Sequence, residues 1–299
     1  MNEHGCIDYH ECGDGPAVVL VPGSCSTGAA WRPILSQLES EFRCVTTSLL
    51  GFGGTAERRT LRDGDISHEA EILEAVVRRV GRPVHLVGHS FGGLVALAAA
   101  LRNQVPLLSL AILEAPAPGV LRSMGEHHHY SAFREMTDSY FGAFLAGDGT
   151  AIAAMIDFYG GAGTFAGWPQ RVRDYAVDTT AVNILDWAGA YGFQPTANLL
   201  ATVGVPVTMI WGGQSHQAVR RANELLGNCM RNVSVVTIAG AAHFFIATHA
   251  HKAALLIAQH VRRAEFAAEC GSPERPSAAR RHRHLRADAA ASADVLAGP

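Results

Sequence analysis

Residues 83–102, PVHLVGHSFGGLVALAAALR, carry the reading that decides the fold. The first half, Val84–Gly88, is a short apolar run of the kind that forms a strand buried on both faces. The second half, Gly92–Arg102, is rich in Ala and Leu and reads as a helix. Between them stands the pattern G-x-S-x-G, from Gly88 through Ser90 to Gly92. A strand that turns so abruptly into a helix holds the serine in a strained backbone and exposes its hydroxyl. Gly88 and Gly92 carry no side chain to obstruct the turn, while Gly93 and Ala96 let the helix lie close to the sheet. The pattern predicts Ser90 as a nucleophile, with the amide of Phe91 aimed at a developing oxyanion. A glycine-rich turn holding a structural serine is the plainer alternative.

The same alternation extends to both sides. Ala17–Pro22, Cys44–Ser48, Leu108–Leu113, Val207–Trp211 and Val233–Ile238 read as strands. Trp31–Leu38, Ser67–Val80, Gln217–Leu226 and His251–Ala264 read as helices. Strands separated by helices predict an α/β fold, with a mostly parallel central sheet flanked by helices. The alternation breaks between Pro116 and Val205, where Met136–Leu145, Ala151–Tyr159 and Gln170–Ala188 carry helical patterns and no strand is evident. Residues 116–204 are therefore expected to be a helical cap inserted into a core domain of residues 1–115 and 205–265, over the ligand crevice. Residues 266–299, rich in Ala, Arg, Ser, Pro and His, are expected to be disordered.

Bulk properties narrow the function. The chain has 299 residues, 48% hydrophobic and 17% charged, enough apolar material for one large α/β domain or two small ones. The net charge is -3 and no basic stripe precedes the tail, so nucleic acid is not an expected partner. No secretory pattern and no membrane-length apolar run is evident. Six scattered cysteines without a C-x-x-C pair fit reduced thiols in the cytoplasm, with Cys25 a small buried side chain. His127, His128 and His129 are consecutive, so their side chains diverge, and no carboxylate or thiol cluster accompanies them. They are expected in a polar loop of the cap, and neither metal nor cofactor is expected. The expected partner is a small-molecule substrate; nothing in the sequence speaks to oligomeric state.

With these motifs in this order, the chain resembles the α/β-hydrolase superfamily from about residue 10 to about residue 265. Val21-Pro22-Gly23-Ser24 resembles that family's oxyanion loop, although Pro22 stands where histidine is more usual. The resemblance implies the backbone amide of Ser24 as a second oxyanion donor beside that of Phe91. Gly28–Trp31 with Pro33 resembles the helix start after this loop, and Leu50–Thr55 the turn after the next strand. His243 follows the last strand in a loop of small residues, AGAAHFF, and matches the general-base position. Neutral imidazole there takes the Ser90 proton and returns it to the leaving group. The chain holds 15 histidines, so the residue type alone says little. His249 and His251 are nearby alternatives, expected in the following helix and facing solvent.

The triad acid is not where the resemblance places it. In the family it usually follows the strand that here is Val207–Trp211, three residues after a glycine. Counted from Gly212, that position is Ser215, which can exchange hydrogen bonds but cannot supply negative charge. No Asp or Glu occurs between Trp211 and Asn223. The preceding strand, however, ends in LAILEAP, with Glu114 directly before the cap. An acid at this strand end is a known variation of the superfamily, and adjacent strands lie only about 5 Å apart. Burying an unpaired carboxylate there would be costly. Glu114 is the expected acid; the alternative is that it hydrogen-bonds the first turn of the cap. The resemblance implies a cofactor-free serine hydrolase, with a carboxylic ester as the expected substrate in a pocket made apolar by the cap's aromatic residues. C–C bond hydrolysis, perhydrolysis and acyl transfer use the same triad, and a ligand-binding homologue without catalysis is the rival from another class.

Overall fold

The computed structural model describes residues 5–271. Its strands are β1 (His10–Cys12), β2 (Ala17–Val21), β3 (Arg43–Thr46), β4 (Val84–His89), β5 (Leu107–Leu113), β6 (Val207–Gly212) and β7 (Val233–Ile238). They form one sheet in the order β1-β3-β2-β4-β5-β6-β7. All neighbours are parallel except the β1–β3 pair. From β2 the chain first moves outward to β3 and then returns to β2's other side as β4. Connections diverge at such a switch point, leaving a crevice at the carboxyl ends of the two strands. The loop after β2 and the Ser90 turn after β4 both open there. The expected sheet is present; β1, a largely exposed edge strand of three residues with no apolar run, is the addition.

The helices are α1 (Arg32–Leu38), α2 (Ser67–Val80), α3 (Phe91–Arg102), α4 (Pro118–Ser123), α5 (His127–Leu145), α6 (Ile152–Gly160), α7 (Thr164–Gly167), α8 (Gln170–Asp178), α9 (Thr180–Gly192), α10 (Ala197–Leu200), α11 (Gln217–Cys229), α12 (Phe245–Thr248) and α13 (Ala250–Gly271). Successive strand residues point to opposite faces, which sorts the core into two layers. Val18, Leu20, Val87, Ala111, Leu113 and Ile210 pack against α1 and α13. Val19, Val21, Leu86, Leu110, Ile112 and Met209 face α2, α3 and α11.

Between β5 and β6 the chain is helical throughout, from α4 to α10. Phe133 and Tyr140 of α5 are fully buried and share a core with Trp187 of α9. Two local expectations change. His127–His129 form the first turn of α5 rather than a loop, with His129 Nδ1 3.0 Å from Glu126 Oε2. The helix expected over Gln170–Ala188 is two helices that meet at Thr179. At the other end, α13 continues to Gly271, past the expected start of disorder at residue 266. Residues 272–299, the rest of that expected tail, lie outside the described residues. No helix among the described residues is long and apolar enough to cross a membrane.

Candidate active site

β4 ends at His89 and α3 begins at Phe91, so Ser90 alone makes the turn, with φ 55° and ψ −130°. That left-handed backbone costs a side-chain-bearing residue energy, and the surroundings hold it. A Cβ on Gly88 would lie 2.3 Å from the Gly92 carbonyl oxygen, and one on Gly92 would lie 2.2 Å from that of Pro22. Only glycine fits at either place. Gly23 is equally constrained, since a Cβ there would meet the Ser90 Cβ at 2.8 Å.

The ends of four successive strands then supply a hydrogen-bonded chain. Ser90 follows β4, and its Oγ lies 2.9 Å from His243 Nε2. His243, in the loop after β7, places Nδ1 2.6 Å from Glu114 Oε2. Glu114 follows β5 directly and is fully buried. Its other oxygen accepts the Gly212 amide at the end of β6, 2.5 Å away, and the Ser215 hydroxyl. A carboxylate only accepts, so the His243 Nδ1 proton is donated to it and Nε2 faces the Ser90 hydroxyl with a free lone pair. His249 and His251 take no part; His249 Nδ1 bonds Thr248, and His251 reaches Gln37 across the surface.

Other groups fix the imidazole. The Tyr159 ring lies against it with centroids 4.3 Å apart, and Phe244 meets it edge-on at 5.2 Å. His89, beside it at 4.9 Å, donates Nε2–H to the His243 carbonyl at 2.9 Å. Burial, helped by the neighbouring His243, pushes the His89 pKa down to about 3. His89 therefore stays neutral and adds no positive charge beside an imidazolium.

Ser90 and His243 open onto a cavity of about 550 Å3, walled by Met155, Ile156, Tyr159, Trp168 and Trp187 from the inserted helices. Most other aromatic residues of that block pack its own core. The Ser24 and Phe91 residues line the same cavity, and neither backbone amide has a protein acceptor among the described residues. The Phe91 amide also belongs to the first turn of α3, where the helix dipole favours negative charge. No cluster of three or more His, Cys, Asp or Glu side chains among the described residues is placed to hold a metal ion.

The profile of the alpha/beta hydrolase family matches residues 18–255. The chain belongs to the alpha/beta hydrolase family. Among curated proteins, 2-hydroxy-6-oxo-2,4-heptadienoate hydrolase of Pseudomonas putida is 37% identical over 101 residues, which are 32% of this chain and 36% of that protein. Pimeloyl-[acyl-carrier protein] methyl ester esterase of Aeromonas salmonicida is 36% identical over 104 residues, 35% of this chain and 39% of that one. The chain thus spans well under half the length of these relatives. Among solved structures, MenH from S. aureus superposes with a TM-score of 0.71 at 14% identity, over 87% of this chain and 99% of that one. A thermophilic esterase from Thermogutta terrifontis gives 0.68 at 20% identity, over 86% and 93%. These two share the fold.

In this alpha/beta hydrolase the loop after β2 has an anchor that sequence reasoning missed. The Ser24 hydroxyl donates to Asp186 Oδ2 of α9 at 2.5 Å. Asp186 Oδ1 pairs with Arg59 at 2.7 Å, and Arg59 also reaches Glu69 at 3.0 Å and Glu57 at 2.8 Å. Arg59, Glu69 and Asp186 are buried. Burial pushes the Asp186 and Glu69 carboxyls up, against the pull of Arg59. The one sequence sign of this network was a lone Asp in the apolar helix ILDWAGAYG. Cys25, next to Ser24, is buried with φ 56°, and burial raises its thiol pKa, so it is no nucleophile.

Proposed function

We propose that this alpha/beta hydrolase is a cofactor-independent serine hydrolase of carboxylic esters. Ser90 attacks the ester carbonyl while His243 Nε2 takes its proton, and Glu114 holds the imidazole and offsets the charge it gains. The amides of Ser24 and Phe91 receive the tetrahedral oxyanion. His243 returns the proton to the departing alcohol, and water, activated by the same base, hydrolyses the acyl-enzyme. The inserted helices act as a cap that shapes an apolar acyl pocket.

One observation carries this function: the unbroken hydrogen-bonded chain from Ser90 through His243 to a fully buried Glu114, opening on the cavity. Glu114 is met by three donors, one of them the imidazole that faces the Ser90 hydroxyl, so its buried charge is compensated where the proposed mechanism uses it. The identity to a methyl ester esterase agrees with ester substrates. The identity to a 2-hydroxy-6-oxo-2,4-heptadienoate hydrolase favours C–C bond cleavage as the second reading. Incubation with short p-nitrophenyl esters and a fluorophosphonate probe decides. Wild type is expected to turn over the esters and be labelled, with both lost in Ser90→Ala. An unlabelled, inactive wild type points instead to a ligand-binding homologue.

A further inference from the structure

The cavity wall also contains two polar side chains from α9, Asn183 and, one turn on, Asp186. Asp186 is already engaged, its two oxygens accepting from Ser24 and Arg59. Asn183 differs. It is only 2% exposed, and its Oδ1 accepts the Tyr140 hydroxyl at 3.1 Å. In this arrangement the NH2 group is turned away from Tyr140, whose hydroxyl also lies 3.4 Å from the Thr180 carbonyl oxygen. No protein acceptor takes this NH2 among the described residues, and it is not among their sealed, unpaired atoms. A nine-tenths-buried donor that is neither paired nor sealed opens onto the cavity that Asn183 lines.

Leaving such a donor unmet when a substrate fills the cavity costs the full desolvation of the group. An all-hydrocarbon acyl chain would impose that cost, and an acceptor oxygen would remove it. We infer that Asn183 is the specificity-determining donor of a polar subsite, and that the preferred ester carries a second acceptor oxygen, a ketone or ether, reaching α9. This rests on the ester hydrolysis proposed above. Asp186 and Trp187 line the same cavity. Discrimination follows because a site built to donate penalises an analogue that cannot accept more than an apolar pocket penalises a change of size.

The test uses the full chain and p-nitrophenyl alkanoates against isosteric oxoalkanoates, with the ketone moved along the chain, plus a parallel series bearing it in the alcohol portion. One position is expected to raise kcat/KM about tenfold over the plain ester. In Asn183→Leu the ratio of oxo to plain ester falls to about one. In Asn183→Asp, which turns an acceptor to the cavity, preference passes to hydroxy esters. Ratios within one variant are insensitive to how much of it folds. A flat series in wild type, or a preference that survives Asn183→Leu, overturns the subsite while leaving ester hydrolysis standing. Absence of any Ser90-dependent turnover overturns both.

Discussion

Glu114 combines two costs at one position. It is fully buried, and its φ of 52° places a side-chain-bearing residue in the left-handed region, worth about 1–2 kcal/mol of strain. The neighbours recover this by supplying donors from three directions: Gly212, Ser215 and His243. Ser215 therefore has a specific place in the design. Its hydroxyl, at the end of the neighbouring strand, steadies the Glu114 carboxylate. Glu114→Gln keeps the shape but not the charge, and kcat is expected to fall about a hundredfold or more in steady-state assays. Ser215→Ala removes one neutral donor and should cost about tenfold at most. Because the Ser215 hydroxyl already touches the carboxylate, Ser215→Asp placed in the Glu114→Gln background should recover activity. If the double variant is no better than Glu114→Gln alone, the two positions are not interchangeable sources of charge.

Among the elements, α9 joins the inserted helices to the cavity. It contributes Trp187 to the cavity and the core, and Asp186 to a buried ionic network reaching back to the loop before α2. A single guanidinium there faces three carboxylates. Arg59→Met should cost about 3–5 kcal/mol in urea unfolding, as expected when one side of a buried pair is removed. Carboxyls whose folded pKa is raised contribute stability that is present at low pH and lost as pH rises through that value. The loss in Arg59→Met should accordingly shrink between pH 7 and pH 5; a loss that is constant with pH would mean the carboxyls are not held apart by Arg59. Lysine is no substitute, because its point charge cannot reach three partners with a fixed fork.

For the molecule as a whole, buried histidines weaken the fold as pH falls. His260 of α13 is 2% exposed, pairs Nδ1 with Thr208 at 2.8 Å, and has its pKa pushed down to about 3, chiefly by burial. The unfolded chain binds this proton near pH 6.5 and the folded one only near 3, so folding stability is complete above 6.5 and declines as pH falls towards 3. The upper bound is on the order of 5 kcal/mol for this one residue. Thermal melts from pH 7 to pH 4 should show wild type losing stability, with a shallower loss in His260→Gln. Equal slopes would remove His260 from the account.

Much of this was legible in the sequence because it depends on local periodicity. Apolar runs of strand length, separated by helical patterns, determine a parallel sheet wherever they occur, and a serine between two glycines at a strand-to-helix junction has few conformations available. Ser90 and the interrupted alternation at Pro116 were readable for that reason; His243 in its loop of small residues and Glu114 at a strand end were expected from the family resemblance. What stayed hidden depends on distance along the chain. Glu114 and Ser215 are 101 residues apart, Arg59 and Asp186 127, and Ser24 and Asp186 162. No local pattern encodes such pairs, since they meet only once the sheet has ordered its strand ends and the inserted helices have folded back over them. The sequence by itself determined the sheet and the order of candidate groups along it; the tertiary structure alone decided their distances, because hydrogen bonding acts over about 3 Å of space irrespective of the chain between.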